Sequence, residues 1–155
     1  MRTILAAMIL TLGFSHAAKA GDFGLGVMIG DPTGISGKVY RSKTHAIDGA
    51  VSWALNGDYF YLHGDHLWQK SAALKLDRTA LDFFFGLGVR LAFHDSSTSK
   101  TTKNDFLLGV RGPVGLAYTF SDPRIELFGE LALVMNLIKS TSVDFDGGLG
   151  ARYYF

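Results

Sequence analysis

The chain contains no cysteine, which excludes disulfides and thiolate metal ligands, the usual staples of a small exported domain. It carries no strong charge of either sign. Fifteen Lys+Arg against 14 Asp+Glu leave a net charge of +1, which gives no reason to expect a nucleic-acid partner. Beyond its first twenty residues it has no apolar run long enough to cross a bilayer core of about 30 Å as a helix. Good helix candidates are absent as well. What is abundant is 12 Phe, 6 Tyr and 19 Gly among 155 residues, 48% of which are hydrophobic. A greasy, aromatic, glycine-rich chain without greasy runs has spread its apolar residues through alternating strands.

The first twenty residues are a separate matter. Arg2 supplies a positive start, Ile4 to Phe14 form a short apolar run, and Ala18-Lys19-Ala20 is a small-residue cleavage site before Gly21. Residues 1–20 therefore read as a cleaved signal peptide, and 21–155 as one domain.

That domain reads as strands throughout. Phe23, Leu25, Val27 and Ile29 alternate with Gly24, Gly26, Met28 and Gly30. Asp31-Pro32-Thr33-Gly34 has the composition of a type I turn. Ile35, Gly37 and Val39 begin a short second strand, and Ile47, Gly49, Val51 and Trp53 a third, which ends at the Asn56-Gly57-Asp58 turn signal. The fourth strand sets Phe60, Leu62, Gly64, His66 and Trp68 against Tyr61, His63, Asp65, Leu67 and Gln69. The fifth has the clearest period of two, with Leu81, Phe83, Phe85, Leu87, Val89, Leu91 and Phe93 on one face. A soluble loop, Asp95 to Asn104, precedes a sixth strand from Phe106 to Phe120. The seventh begins at Ile125 after the Ser121-Asp122-Pro123-Arg124 turn, and Lys139 to Ser142 closes the last hairpin into Asp144 to Phe155. The final strand stops on Tyr153-Tyr154-Phe155, leaving an edge that must be paired, most simply with the first strand. About eight sequential strands, an even number, are expected to close as an all-β, antiparallel, up-and-down transmembrane barrel.

Alternation alone fits a water-soluble barrel equally well, so residue size and charge decide which face is outside. The polar face is mostly Gly, Ala and Ser with isolated charges, and small residues suit the narrow interior of an eight-stranded barrel. The other face is a sheath of Phe, Leu, Val and Ile with no acid on any strand. A charge at the bilayer midplane costs roughly 2–4 kcal/mol on a barrel's lipid face. Lipid enforces that purity, so the sheath is expected outside and the charges inside. With both termini on the periplasmic side, the turns at Asp31 to Gly34, Asn56 to Asp58, Asp95 to Asn104 and Lys139 to Ser142 face outward. Trp68, Tyr153 and Phe155 then sit at the periplasmic interface.

The expected lumen network, structural or pore-lining, consists of Lys38, Asp48, His63, Asp65, Asp82, Arg90, Arg111, Glu126, Glu130 and Arg152. If the hairpins close symmetrically, Lys38 lies opposite Asp48 and Glu130 opposite Arg152. Charges sealed from bulk water must be paired and hydrogen-bonded. The alternative is an ion or proton path along Asp65, His63, Glu130 and Arg90. His63, Asp65 and His66 do not make a metal site, because alternation sends His66 to the outer face. Gly24-x-Gly26 and Gly86-x-Gly88 open no helix, so they are wall spacers and not phosphate loops.

Three segments carry a family likeness: Gly30-Asp31-Pro32-Thr33-Gly34-Ile35-Ser36-Gly37-Lys38, Leu62-His63-Gly64-Asp65-His66-Leu67-Trp68, and the closing Gly148 to Phe155. Over Gly21 to Phe155 the chain resembles the small OmpA/OmpX-type outer-membrane barrels, within a largely uncharacterised group; an aromatic would be expected where it has His66. Its last residues, Tyr153 and Phe155 above all, resemble the C-terminal signal by which outer-membrane barrels are recognised for insertion. The resemblance implies an outer-membrane protein whose partners are the bilayer, lipopolysaccharide-type lipids and the insertion machinery, as a monomer and without cofactor. Some barrels of this size hydrolyse or transfer lipid A acyl chains. Here His66 has no Ser two places away, nothing matches the His-x-Ser-Asn motif of lipid A deacylases, and His94-Asp95-Ser96 begins a loop. The sequence reading is therefore a non-enzymatic, structural barrel with a charge-paired lumen. A narrow channel comes second, and third a surface adhesin or receptor acting through Asp95 to Asn104.

Overall fold

In the computed structural model, residues 22–53, 59–76, 79–96, 103–138 and 142–155 are described. They form eight strands: β1 (Phe23–Asp31), β2 (Gly34–Tyr40), β3 (His45–Trp53), β4 (Tyr59–Leu76), β5 (Thr79–Ser96), β6 (Lys103–Thr119), β7 (Ile125–Asn136) and β8 (Val143–Tyr154). Every strand is antiparallel to its sequence neighbours, and β8 returns to pair with β1, so the sheet is a closed barrel. Residues 1–20, expected to be a signal peptide, and the expected Asn56-Gly57-Asp58 turn lie outside the described residues.

Closure comes with a stagger. Starting from Leu25 and stepping between paired residues through Gly37, Gly49, Gly64, Val89, Val110 and Met135, the path reaches β8 at Val143. Leu25 itself pairs with Tyr153, ten residues along the same strand. A stagger of that size on eight strands fixes their tilt within the usual range of about 35–45° and leaves an interior only wide enough for side chains.

The faces separate as the alternation requires. Val27, Leu87, Leu131, Phe145 and Leu149 are each more than half exposed on the outer wall. Lys38, Asp65, Arg111, Glu126 and Arg152 are almost wholly buried inside. Burial is thus the reverse of a water-soluble fold, with apolar side chains outside and ionisable ones in the core.

Of three local features the first keeps the expected turn and the other two depart from the sequence reading. The turn between β1 and β2 is held by the Thr33 hydroxyl, which donates to the Gly30 carbonyl at 2.8 Å and accepts from the Gly30 N–H at 3.0 Å. β4 continues well past Gln69, and its ladder with β5 slips between Lys70 and Leu74. Ala72, at φ 51°, sits in that slip with its N–H donating to Asp82 Oδ1 at 2.8 Å. Third, Glu130 lies opposite Gly148, not Arg152, which faces Glu126. The final hairpin turns earlier than symmetry about 139–142 implies, because Asn136 N–H donates to the Ser142 carbonyl and Met135 already faces Val143. The observed register puts Gly150 opposite Phe128, where a Cβ would stand 2.4 Å from the ring. Only glycine admits Phe128 into the lumen there.

Candidate functional site

The lumen holds two clusters of ion pairs, one nearer the chain termini and one nearer the far mouth. The terminal cluster is centred on Glu126 of β7, which is fully buried. Its Oε2 accepts from Lys38 Nζ at 2.9 Å, from Tyr154 Oη at 3.1 Å and from Tyr40 Oη at 3.2 Å. Its Oε1 accepts from Arg152 Nη1 at 2.9 Å. Arg152 also donates to Asp48 Oδ2 at 3.0 Å and to Ser36 Oγ at 2.7 Å. The guanidinium lies 3.8 Å over the Phe128 ring, and Lys38 Nζ lies 5.5 Å from the centre of Phe84. Phe84 and Phe128 belong to an apolar cluster with Met28, Ala46, Leu67 and Ala117 that packs beside these charges.

The cluster nearer the mouth is centred on Arg111 of β6, fully buried in the wall-to-wall space. Its Nε donates to Asp65 Oδ2 of β4 at 2.8 Å and its Nη1 to Asp146 Oδ2 of β8 at 3.0 Å. Its Nη2 bonds Glu130 Oε1 of β7. One side chain thus ties three other strands together through the lumen. Tyr61 Oη donates to Asp146, whose Oδ1 accepts from Arg90 Nη1 at 2.9 Å. Arg90 Nη2 reaches Asp144 at 2.6 Å and Asn136 at 2.9 Å. The half-exposed Asp144 brings this chain of charges to the rim.

Asp48 and Asp65 join the two clusters. They face each other across the β3–β4 ladder, each giving one oxygen to the arginine of its own cluster. Asp65 fits because Gly88 stands opposite, where a Cβ would lie 1.9 Å from the carboxylate.

Of the ten expected lumen residues, Lys38, Asp48, Glu126 and Arg152 fall in the terminal cluster and Asp65, Arg90, Arg111 and Glu130 in the other. Lys38 is opposite Asp48 in register, yet its ammonium crosses the lumen to Glu126 and leaves Asp48 to Arg152. His63 is buried beside Asp65, its Nδ1 4.0 Å from Asp65 Oδ2. Asp82 is only half-buried; it accepts from Gln69 Nε2 at 3.1 Å and so reaches the terminal cluster through Gln69 and Tyr40. The sequence reading overlooked Asp144, Asp146, Asn136 and the three tyrosines Tyr40, Tyr61 and Tyr154. Parity offered the signal for all six, since Asp144, Asp146 and Tyr154 alternate in step with Arg152, Asn136 with Glu130, Tyr40 with Lys38 and Tyr61 with His63.

On the outer wall, His66 Nε2 stands 3.2 Å from His45 Nδ1, with the Trp68 ring edge-on at 4.8 Å. Trp68 stacks on Phe85, and Tyr153 meets Phe155, both exposed toward the end of the barrel where the chain termini lie. Of the segment Asp95 to Asn104, residues 97–102 lie outside the described residues, and the β5–β6 ladder is seen to Ser96 opposite Lys103.

No protein-family model matches this chain, and no curated protein matches it. Among solved structures it is similar to the N-terminal β-barrel domain of Pseudomonas aeruginosa OprF, with a TM-score of 0.59 and 12% sequence identity over 86% of this chain and 95% of that one. The similarity is one of fold: an all-β, closed, eight-stranded antiparallel barrel.

Proposed function

We propose that this chain is a non-enzymatic integral protein of the bacterial outer membrane, a monomeric barrel whose lumen is closed by ion pairs and whose role is structural. On this reading residues 1–20 are its export signal, and Tyr153 and Phe155 present the surface by which the insertion machinery takes it up. Bilayer lipid and lipopolysaccharide cover its apolar wall. The carrying observation is Arg111, fully buried and bonded to carboxylates from β4, β7 and β8. A guanidinium so placed braces the cylinder from within and occupies the path a solute would take. The wall supports the membrane assignment, because exposed Val27, Leu87, Leu131 and Leu149 are tolerable only where lipid replaces water. His66 supports the non-enzymatic reading: its Nε2 meets a second imidazole, His45 Nδ1, and its flank meets Trp68, so that nitrogen is not engaged with a hydroxyl nucleophile.

Planar-bilayer recording of the refolded chain tests the closed lumen. Silence at all voltages is expected, and discrete conductance steps would overturn it. One observation favours the narrow channel as second reading: the ionisable groups form a continuous series from the half-exposed Asp144 through Arg90, Asp146, Arg111 and Asp65 to Asp48 and Arg152. Conductance that changes in Glu130→Ala or Arg90→Ala would establish it.

A further inference from the structure

The pairing in the lumen does not balance. Among the described residues its linked ion pairs contain four cations, Lys38, Arg90, Arg111 and Arg152. Against them stand six carboxylates: Asp48, Asp65, Glu126, Glu130, Asp144 and Asp146. With all ionised, two negative charges are uncompensated, in a space where an unpaired charge is costly. One of the six, Asp144, is half-exposed; the others are buried.

Among the described residues four acceptors are orphaned; one, Gln69 Oε1, lies further along β4, and the other three belong to neighbouring residues. Among the described residues, Asp48 Oδ1, Asp65 Oδ1 and His63 Nδ1 are buried without a hydrogen-bond partner. All three residues are at least nine-tenths buried. Asp48 faces Asp65, and His63 is the next lumen residue along β4. Glu130 completes the group from β7: His63, Asp65 and Glu130 each offer a ligand atom, all within 4.8 Å of one another.

We propose that this buried group binds one divalent cation of the zinc or manganese class, with His63, Asp65 and Glu130 as ligands and Asp48 as a neighbouring anion. The donor set decides the class, since an imidazole with carboxylates suits a borderline transition ion better than calcium or magnesium. Donors around a tetrahedral zinc stand about 3.4 Å apart; the ligand atoms here lie within 4.8 Å of one another, with His63 Nδ1 at 4.0 Å from Asp65 Oδ2, so binding draws them together by up to about 1.4 Å. Arg111 holds Asp65 Oδ2 and one oxygen of Glu130. A bound ion therefore shares these two carboxylates with the guanidinium. The charge of the ion matches the surplus of two.

The test uses the full chain refolded in detergent micelles and titrated with zinc chloride alone and, separately, manganese chloride alone. Calorimetry is expected to give one site per chain, with affinity falling about tenfold or more in His63→Gln and in Asp65→Asn. His66→Phe, which dismantles the outer histidine pair, is expected to leave binding unchanged. Absence of binding to folded wild type overturns the proposal, as does binding that disappears with His66 and survives loss of His63. Should the lumen variants fail to fold, which heat-modifiable gel mobility reports, manganese spin resonance on the folded His66→Phe protein decides. Nitrogen coupling from an imidazole is expected there, and a spectrum with oxygen ligation alone overturns the assignment.

Discussion

Arg111→Met removes the central brace and isolates its cost. Methionine keeps much of the stem's volume, so what disappears is the guanidinium and its bonds to Asp65, Glu130 and Asp146. Each charged hydrogen bond is worth about 1.5–3 kcal/mol, and three would set a ceiling near 5–9 kcal/mol. The full sum is not expected, because the stranded carboxylates relax, and Asp146 keeps Arg90. Breaking a buried pair from one side costs about 3–5 kcal/mol, and that is the expected destabilisation at pH 8. Reversible urea unfolding in lipid vesicles reads it, with the exposed Trp53 and Trp68 reporting transfer out of lipid. Two companions sharpen the result. Arg111→Lys supplies charge without the three-way fork and is expected to fall between wild type and Met. Adding Glu130→Gln to Arg111→Met removes one stranded charge and is expected to restore about 1 kcal/mol or more. A loss below about 1 kcal/mol for Arg111→Met, with no recovery in the double variant, would refute the view that these charges brace the barrel.

Gly150→Val places side-chain carbon against the Phe128 ring, where even a Cβ would stand at 2.4 Å. Overpacking of this kind costs about 1–3 kcal/mol, and Phe128→Leu in the same chain is expected to recover part of it in the same unfolding assay. Leu131→Arg, on an open part of the wall, is expected to lose roughly 2–4 kcal/mol in vesicles, while retaining the heat-modifiable gel mobility of a folded barrel in detergent. His66→Phe restores an aromatic beside Trp68 and is expected to change stability by no more than about 0.5 kcal/mol; a loss beyond 2 kcal/mol would show that the contact with His45 matters to the fold.

Much of the fold was legible because a closed barrel with a narrow lumen imposes a strict alternation. Leu81 to Phe93 states its facing in sequence, and the structure keeps it, with Phe83, Phe85, Leu87, Val89 and Phe93 outside and Phe84 and Arg90 inside. Lengths were less legible. β4 runs on through an Ala72 slip that alternation does not encode, because a bulge is held by a specific bond, here from Ala72 N–H to Asp82. The last hairpin misled for a related reason. Its register is decided by where Phe128 finds a glycine and where Asn136 meets Ser142, and symmetry about the polar residues knows nothing of either.

The lumen shows where sequence reasoning stops. Parity says which face a residue joins, so the charged members were mostly in view, and Asp144 and Asp146 could have been added by the same step of two. Partners are a different matter. Lysine and arginine are long enough to cross a lumen of this width, and the register neighbour then loses to a better-placed acid. Lys38 passes over Asp48 for Glu126, 88 residues away in sequence, and Arg152 finds Ser36 at a separation of 116. No local pattern encodes such pairs; they follow from the ten-residue stagger, which sets the height of each strand against all the others. The surplus of carboxylates is a property of the closed set and not of any strand. It becomes visible only when the cylinder brings Asp48, His63 and Asp65 from one hairpin against Glu130 from another.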